Sequence, residues 1–481
     1  QRVLTGRLQQ LGEQGRGGVT LISIDDIVKM MQERREQVER TFELYANGHA
    51  PVYVLESFRQ EALASTYLGP LLKAPDPTER RAILSTRYGR RLEEDPWPDD
   101  RTDVRLLVDI TALLTAHGLG ILELAERAFA PLWIAPEAVP SLLALRSDSE
   151  VTQPERIDAM RAVLARLGDG ELHDQAQLSA IDTFHVLWEG DGGEPNSTLS
   201  FHRLFDVIAK PLGKRIEKKA RDALGTTLDA AAVGATPPNG AIVTLDHGIA
   251  VTLEEANLLG ALCAQFQVGI QAGDIADIRA AIADADRRLA TVESLSALIG
   301  KIPVGLEDGT YKSVPVSDVQ KPEHTGRSFM QLIQSLATDG GIAWVDDRYT
   351  SSINNRDFRT ATTVEILDAL FRYGRLTESQ RDGFRQRLRA ARWLFMPLRG
   401  DEIARFMRPA VQNGELRETE DLAIIRRYIG EALIHRRRLQ WPEPTAVEQG
   451  IKGEVPFLLD SGHAISQALA AIWNDDSWNV D

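Results

Sequence analysis

Three aspartates stand directly after short apolar runs. In "RLLVDIT" Asp109 closes a run of strand length, and in "IAWVDDRYTSS" Asp346 and Asp347 close another. In open α/β sheets ligands bind beyond the carboxyl ends of the strands, so acids delivered there by neighbouring strands can meet at one point. Three or four carboxylates around one point cannot all stay ionised without a counter-charge. A hard divalent cation, Mg²⁺ or Mn²⁺, takes oxygen ligands and keeps waters that can attack a phosphodiester. Adjacent residues of a regular strand point to opposite faces. Asp346 and Asp347 therefore reach one cation only if the strand ends at Asp346, which the polar "RYTSS" permits. The plain alternative is that strand ends carry Asp because loops are polar.

Further residues invite weighing. "TLDHG" pairs Asp246 with His247, as a metal ligand or base or simply as the polar tip of a tight hairpin. "PLGKRIEKKARDAL" is a basic helix with Lys214, Lys218 and Arg221 on one face and Arg215 and Lys219 beside them. It could contact a phosphate backbone, although Glu217 and Asp222 are interleaved as on any solvated face. The chain carries 481 residues with a net charge of −15, so nucleic-acid binding would need such a local basic surface. The single cysteine, Cys263, lies in an apolar stretch and fits a structural thiol in a reducing, cytosolic setting. The histidines lack zinc-ligand spacing, and no GxxxxGK[ST], GxGxxG after a strand, or GxSxG occurs. No run suggests a transmembrane helix.

The elements that would position these residues follow from periodicity. "RLLVD", a helix, "APLWIAP" and "EAVPSLLALR" alternate strand and helix, the mark of a parallel α/β unit. Helices are expected at 153–167, 211–224, 253–269, 274–290 and 327–337, with "GAIVTLDHGIAVTLEE" as a strand or hairpin. "GGIAWVDD" resumes strand character. It is followed by a helix stopped at Gly374, a second helix opened by the capping box Thr377–Gln380, and a strand at "WLFMPL". "RRLEEDPWPDDRTD" reads as a linker, and no internal repeat is visible.

These motifs resemble the PIN-domain nucleases, and in particular the large PIN proteins of predicted bacterial conflict systems that combine TPR, GreAB-C-terminal-like and PIN modules. "RLLVDITALLTAHGLGILELAERAFAPLWIAPEAVPSLLAL" is similar to the family's opening half and "WVDDRYTSS…LFMPL" to its closing half. "ISIDDIVKMMQERREQVERTFELYANGHAPVYVL" is similar to its helical leader. The resemblance implies Asp109, Asp346 and Asp347 as metal-holding acids and Thr111 as the small hydroxyl residue that accompanies the first. It also implies an acid on the helix after the second strand. Only Glu137, at that helix's start, is offered there, with Asp246 as a substitute.

The resulting expectation is an α/β fold with a PIN-like parallel-sheet core in two sequence pieces, 101–150 and 336–400. A mostly helical insertion at 151–335 would split it, between a helical leader at 1–100 and a C-terminal helical region at 401–481. The expected activity is Mg²⁺- or Mn²⁺-dependent hydrolysis of RNA, less readily DNA, by a cytoplasmic effector of a bacterial defence system, with no membrane association. The alternative is an inactive PIN-like scaffold that binds protein partners in a larger assembly.

Overall fold

A computed structural model describes residues 104–178, 183–188, 198–228, 232–315, 324–351, 359–412, 415–439 and 456–474. It also describes shorter pieces of the first hundred residues, chiefly 43–45, 49–53, 63–73 and 83–84. The expected linker at 90–103 lies outside the described residues. The chain divides into two units, one formed by 1–149 and 291–481 and one by 150–290.

The first unit begins its sheet with β1 (Leu106–Val108), followed by α1 (Ile110–Leu119), α2 (Leu122–Phe129), β2 (Leu132–Ile134) and α3 (Ala138–Asp148). β1 is an unbroken apolar triplet, fully buried, as a strand covered on both faces requires. α1 buries nine of its ten residues and ends at Gly120, whose φ of 77° is the left-handed stop that glycine adopts freely.

The second unit then runs α4 (Pro154–Gly168), β3 (Leu172–Asp174), β4 (Thr183–Leu187), β5 (Thr198–Ser200), α5 (Phe201–Ala209), α6 (Lys214–Leu224), β6 (Ile242–Leu245), α7 (His247–Glu255), α8 (Leu259–Gln265) and β7 (Gln267–Ile270). The helix α9 (Ala272–Asp308) carries the chain out of it. By length and composition α9 passes the test for a membrane span, a test that core helices also pass, and its Leu295, Leu298 and Ile302 are fully buried in the first unit's core.

The first unit resumes with β8 (Tyr311–Ser313), α10 (His324–Asp339), β9 (Ile342–Trp344), α11 (Arg348–Ser351), β10 (Arg359–Ala361), α12 (Thr363–Arg372), α13 (Glu378–Ala390), α14 (Gly400–Met407), α15 (Glu420–Ile434) and α16 (Pro456–Trp473). α13 opens with the expected capping box of Thr377 and Gln380. Gly374, at φ 67°, follows α12 as expected. The "WLFMPL" strand is only Trp393–Leu394, paired with Ile83–Leu84. Gly341, at φ 125°, lets β9 come close to β1: a side chain there would meet the Arg105 carbonyl at 2.7 Å.

Both units are built on a five-stranded, wholly parallel sheet, in agreement with the expected α/β class. In the first unit the spatial order is β10-β9-β1-β2-β8, and in the second it is β5-β4-β6-β7-β3. Numbered by their order along the chain, the first sheet's strands read 5-4-1-2-3. The second sheet gives the same order when its count starts at β6. The second unit is thus a circular permutation of the first unit's topology. Chain order makes the relation plainer still. β1 to β5 form one series and β6 to β10 another, and each sheet joins the first two strands of one series to the last three of the other.

Residues 151–335 are mostly helical but also carry a second parallel sheet between their helices, which the sequence reading did not foresee, and the topology repeats where the residues show no repeat. Short strands with two to four core residues leave too few constrained positions to register as repeated sequence. Two local readings change as well. Asp246 does not turn a hairpin but caps α7. The helix expected at 253–269 breaks at Asn257, whose φ is 57°, and its last residues become β7.

Candidate functional site

In both sheets the first strand is flanked by the second on one side and the fourth on the other. That switch point, at the carboxyl ends of β1 and β9, is where open α/β sheets bind ligands. In the first unit it holds Asp109, one residue past β1, and Asp346 and Asp347, just past β9. All three are fully buried. One hydroxyl spans the gap between the two strand ends. Thr111 Oγ1 donates to Asp109 Oδ2 at 2.6 Å and accepts from the Asp346 amide at 3.1 Å. β9 ends at Trp344, before both acids, and α11 begins at Arg348, directly after them. Asp109 accepts from the Thr111 amide at the start of α1. Asp347 Oδ1 accepts from the Thr350 amide of α11 at 2.7 Å. Asp346 is gripped by Thr363 at the start of α12, whose amide reaches Oδ1 at 2.7 Å and whose hydroxyl reaches Oδ2 at 2.6 Å. Trp344 Nε1 donates to that same hydroxyl at 2.9 Å and so aims it at the carboxylate.

The remaining donors come from far upstream. The Val52 amide donates to Asp347 Oδ2 at 2.7 Å, and the Tyr53 hydroxyl donates to Asp109 Oδ2. Behind them the hydroxyls of Tyr45 and Tyr67 lie 3.2 Å apart, both raised above the ordinary phenol range by burial first, with Asp347 adding to it.

The electrostatics are those of an uncompensated cluster. Burial pushes Asp346 up to about 7 and Asp347 up to about 6, against the hydrogen bonds that favour their charged forms, and the Asp109 charge adds to both. Burial raises Asp109 as well. By its chemistry this donor set suits a divalent cation, although here the three carboxylates do not bring ligand atoms within 4.8 Å of one another, as only His247, Asp274 and Asp277 do among the described residues. The aspartate set is all oxygen and anionic, and each carboxylate is held by helix-terminal amides or threonine hydroxyls in the way metal-ligating carboxylates are oriented from behind. Asp109 Oδ1, buried and without a hydrogen-bond partner among the described residues, is the atom such a cation would satisfy.

The other sequence candidates lie elsewhere. Glu137 precedes α3 without capping it through its side chain, and its carboxylate pairs with Arg327 at 3.0 Å. Asp246 belongs to the second unit, where it stands after β6 as Asp109 stands after β1, and its Oδ1 caps α7 through the Ile249 amide at 2.7 Å. Beside it His247 Nδ1 meets Asp274 Oδ1 at 2.7 Å, with Asp277 close by. On α6, Lys214, Arg215, Lys218 and Lys219 are exposed and form no ion pair among the described residues. Arg221 is instead engaged by Asp206 and Glu217, at 3.7 and 3.6 Å, and covers the Phe205 ring. Cys263 is half-buried, and burial pushes its thiol up to about 11, which keeps it protonated and unreactive at neutral pH.

Sequence reading missed Thr363, Thr350, Val52 and Tyr53. Thr363 had a signal: "TATTVEIL" ends the next strand in threonines three residues before a capping glutamate. Val52 and Tyr53 had none, because a main-chain amide and a tyrosine nearly sixty residues upstream of Asp109 carry no local mark of this role.

Residues 24–91 match the family model described as HTH_upstream_double_PIN. That match suggests a PIN-associated family, and its description sets a helix-turn-helix segment upstream of a double PIN. Val52 and Tyr53 fall inside the matched residues, and the two parallel sheets follow them. Comparison with curated proteins and with solved structures gives no significant match.

Proposed function

We propose that the first unit is a PIN-like nuclease centre that hydrolyses RNA phosphodiesters with Mg²⁺ or Mn²⁺ held by Asp109, Asp346 and Asp347. The observation that carries this reading is that three buried aspartates stand at the ends of two neighbouring strands, where Thr111 joins the Asp109 carboxylate to the Asp346 backbone and Asp109 Oδ1 has no partner among the described residues. Bound there, the cation would neutralise the cluster and supply Lewis-acid activation of water and stabilisation of charge on the phosphate oxygens. The chain's own residues do the rest. Thr111 fixes Asp109 relative to the Asp346 backbone, Thr363 sets both oxygens of Asp346, and the turn into α11 points Asp347 inward. The exposed cations of α6 offer a surface for the RNA backbone. The resemblance to PIN proteins of bacterial conflict systems supports a role as a defence effector that works with protein partners.

A second reading has its own observation. Five of the six carboxylate oxygens already accept hydrogen bonds from the chain, and none of the three acids is exposed. That is what a hydrogen-bonded structural knot in a scaffold would show. Cleavage of a labelled single-stranded RNA, with Mn²⁺ and with chelator, separates the two. The nuclease reading expects Mn²⁺-dependent product that disappears in Asp109→Asn. Cleavage that survives in Asp109→Asn plus Asp346→Asn, or no cleavage under any condition that opens the site, favours the scaffold.

A further inference from the structure

We infer that Val52 and Tyr53 are a removable closure of the acidic centre, a self-inhibitory contact made by the helix-turn-helix-family segment on the PIN-like unit. The inference deepens the nuclease reading and rests on it. Four observations meet here. The three aspartates are fully shielded from solvent, so neither a hydrated cation nor a phosphate reaches them in this conformation. Two upstream donors end on carboxylates that would hold a cation: the Val52 amide on Asp347 Oδ2 and the Tyr53 hydroxyl on Asp109 Oδ2. Both donors belong to the matched upstream segment and not to the sheet or its crossover helices. Asp109 Oδ1, beside the oxygen that Tyr53 holds, is buried with no partner among the described residues, which is a standing cost in the closed state that a cation would relieve.

The closure is a packed one. Tyr53 stacks on Phe329 of α10, with ring centroids 5.1 Å apart, and Val52 is fully buried in the first unit's core. A neutral donor pair cannot compensate three carboxylates as a divalent cation can, so closure and cation compete for the same carboxylates. A ligand that binds the open arrangement alone must shift the balance toward it, and whatever draws the upstream segment away must raise cation affinity by the same factor. Nucleic acid engaged by that segment is the natural agent, given the family that its residues match.

The test uses the full chain and Mn²⁺ alone. Free Mn²⁺ is followed by its electron paramagnetic resonance signal, and amide exchange is followed by mass spectrometry over residues 43–68. Tyr53→Phe keeps the ring stack and removes the hydroxyl donor. It is expected to bind Mn²⁺ about tenfold more tightly than the natural chain, the factor that follows from losing one hydrogen bond to a charged group. Mn²⁺ is expected to speed exchange at 43–68 in the natural chain, and Asp109→Asn to abolish both effects. Equal Mn²⁺ affinity in the natural chain and Tyr53→Phe, with exchange unchanged, overturns the closure and leaves the metal reading standing. If the natural chain, Tyr53→Phe and the more open Tyr53→Ala all fail to bind Mn²⁺, the metal reading itself fails, and the closure with it.

Discussion

The two sheets share a strand order and differ at the point where that order would place a ligand. At the first switch point Asp346 lies level with Thr363 across the β9–β10 pairing, and the two are joined by hydrogen bonds. In the second sheet the corresponding registers put Trp188 at the place of Asp346 and Phe201 at the place of Thr363. Those two rings pack 5.0 Å apart at a 44° tilt. Thr111, whose hydroxyl links the strand ends in the first sheet, is answered by Gly248. A side chain there would press on Asp246 Oδ1 at 3.2 Å and on Trp188 at 3.5 Å. What persists is the residue that serves the fold. Asp109 and Asp246 both cap the helix after the first strand, and Ser200 opens α5 where Thr362 opens α12. Capping therefore explains an aspartate after a first strand without any chemistry, and only the residues facing it decide whether it joins a site.

That contrast can be broken. The largest effect is expected from Asp109→Asn set against Asp246→Asn. Asparagine still caps both helices, so folding is kept. Asp109→Asn should cut Mn²⁺-dependent RNA cleavage at least about a thousandfold, roughly 4 kcal/mol of transition-state stabilisation, whereas Asp246→Asn leaves the rate within about twofold. Equal losses in the two variants would erase the distinction between the sheets.

Next in size is Phe201→Ala. Its ring is fully buried, and its removal should cost the second unit about 3 kcal/mol. Amide exchange should quicken at 183–188 and 242–255 and stay unchanged at 104–119. Uniform quickening would show that the aromatic pair does not stabilise its own edge.

The acid cluster should behave oppositely, because it weakens the edge it occupies. Both folded-state values, about 7 for Asp346 and about 6 for Asp347, lie above the ordinary 3.8. Between pH 4 and these values the native state holds protons that the unfolded chain has released. Without a divalent cation, stability contributed here is therefore greatest near pH 4 and falls as pH rises toward 7. The slope is about 1.4 kcal/mol per pH unit for each group within its window. Asp346→Asn should flatten that slope and raise the melting temperature at pH 7. A melting temperature insensitive to pH from 4 to 7, in the natural chain and the variant alike, would contradict the cluster's electrostatics.

The smallest effect belongs to the second unit's surface. Charge reversal at Lys218 and Lys219 together should weaken RNA binding about tenfold at low salt and reduce the salt dependence by about two phosphate contacts. Fluorescence anisotropy at two ionic strengths measures this, and unchanged affinity would remove α6 from the RNA path.

How much could be read beforehand varies with how local the cause is. "RLLVD" and "IAWVDD" announced buried strands ending in acid, and the Thr377–Gln380 box announced α13, because each depends on residues within one turn or one pleat. The second sheet was hidden. β3 and β5 have three residues each, "LHD" and "TLS", too short for any period to show. The helix expected at 253–269 failed at Asn257, where a left-handed residue separates α7 from α8 before the chain enters β7, and no neighbouring residue marks that choice. Glu137 was named from its place after β2, but its pairing with Arg327, 190 positions later, is a tertiary fact.

By itself the sequence determined that the chain builds parallel α/β layers and which aspartates end their strands. Those properties follow from hydrophobic runs, caps and stops a few residues apart. Only the tertiary structure decided that Thr111 beside Asp109 bonds the Asp346 amide across 235 residues, that Trp188 fills the matching place in the second sheet, and that Val52 and Tyr53 donate to Asp347 and Asp109. These depend on strand order and on which segment covers a strand end, and both are set by long-range packing that no local pattern encodes.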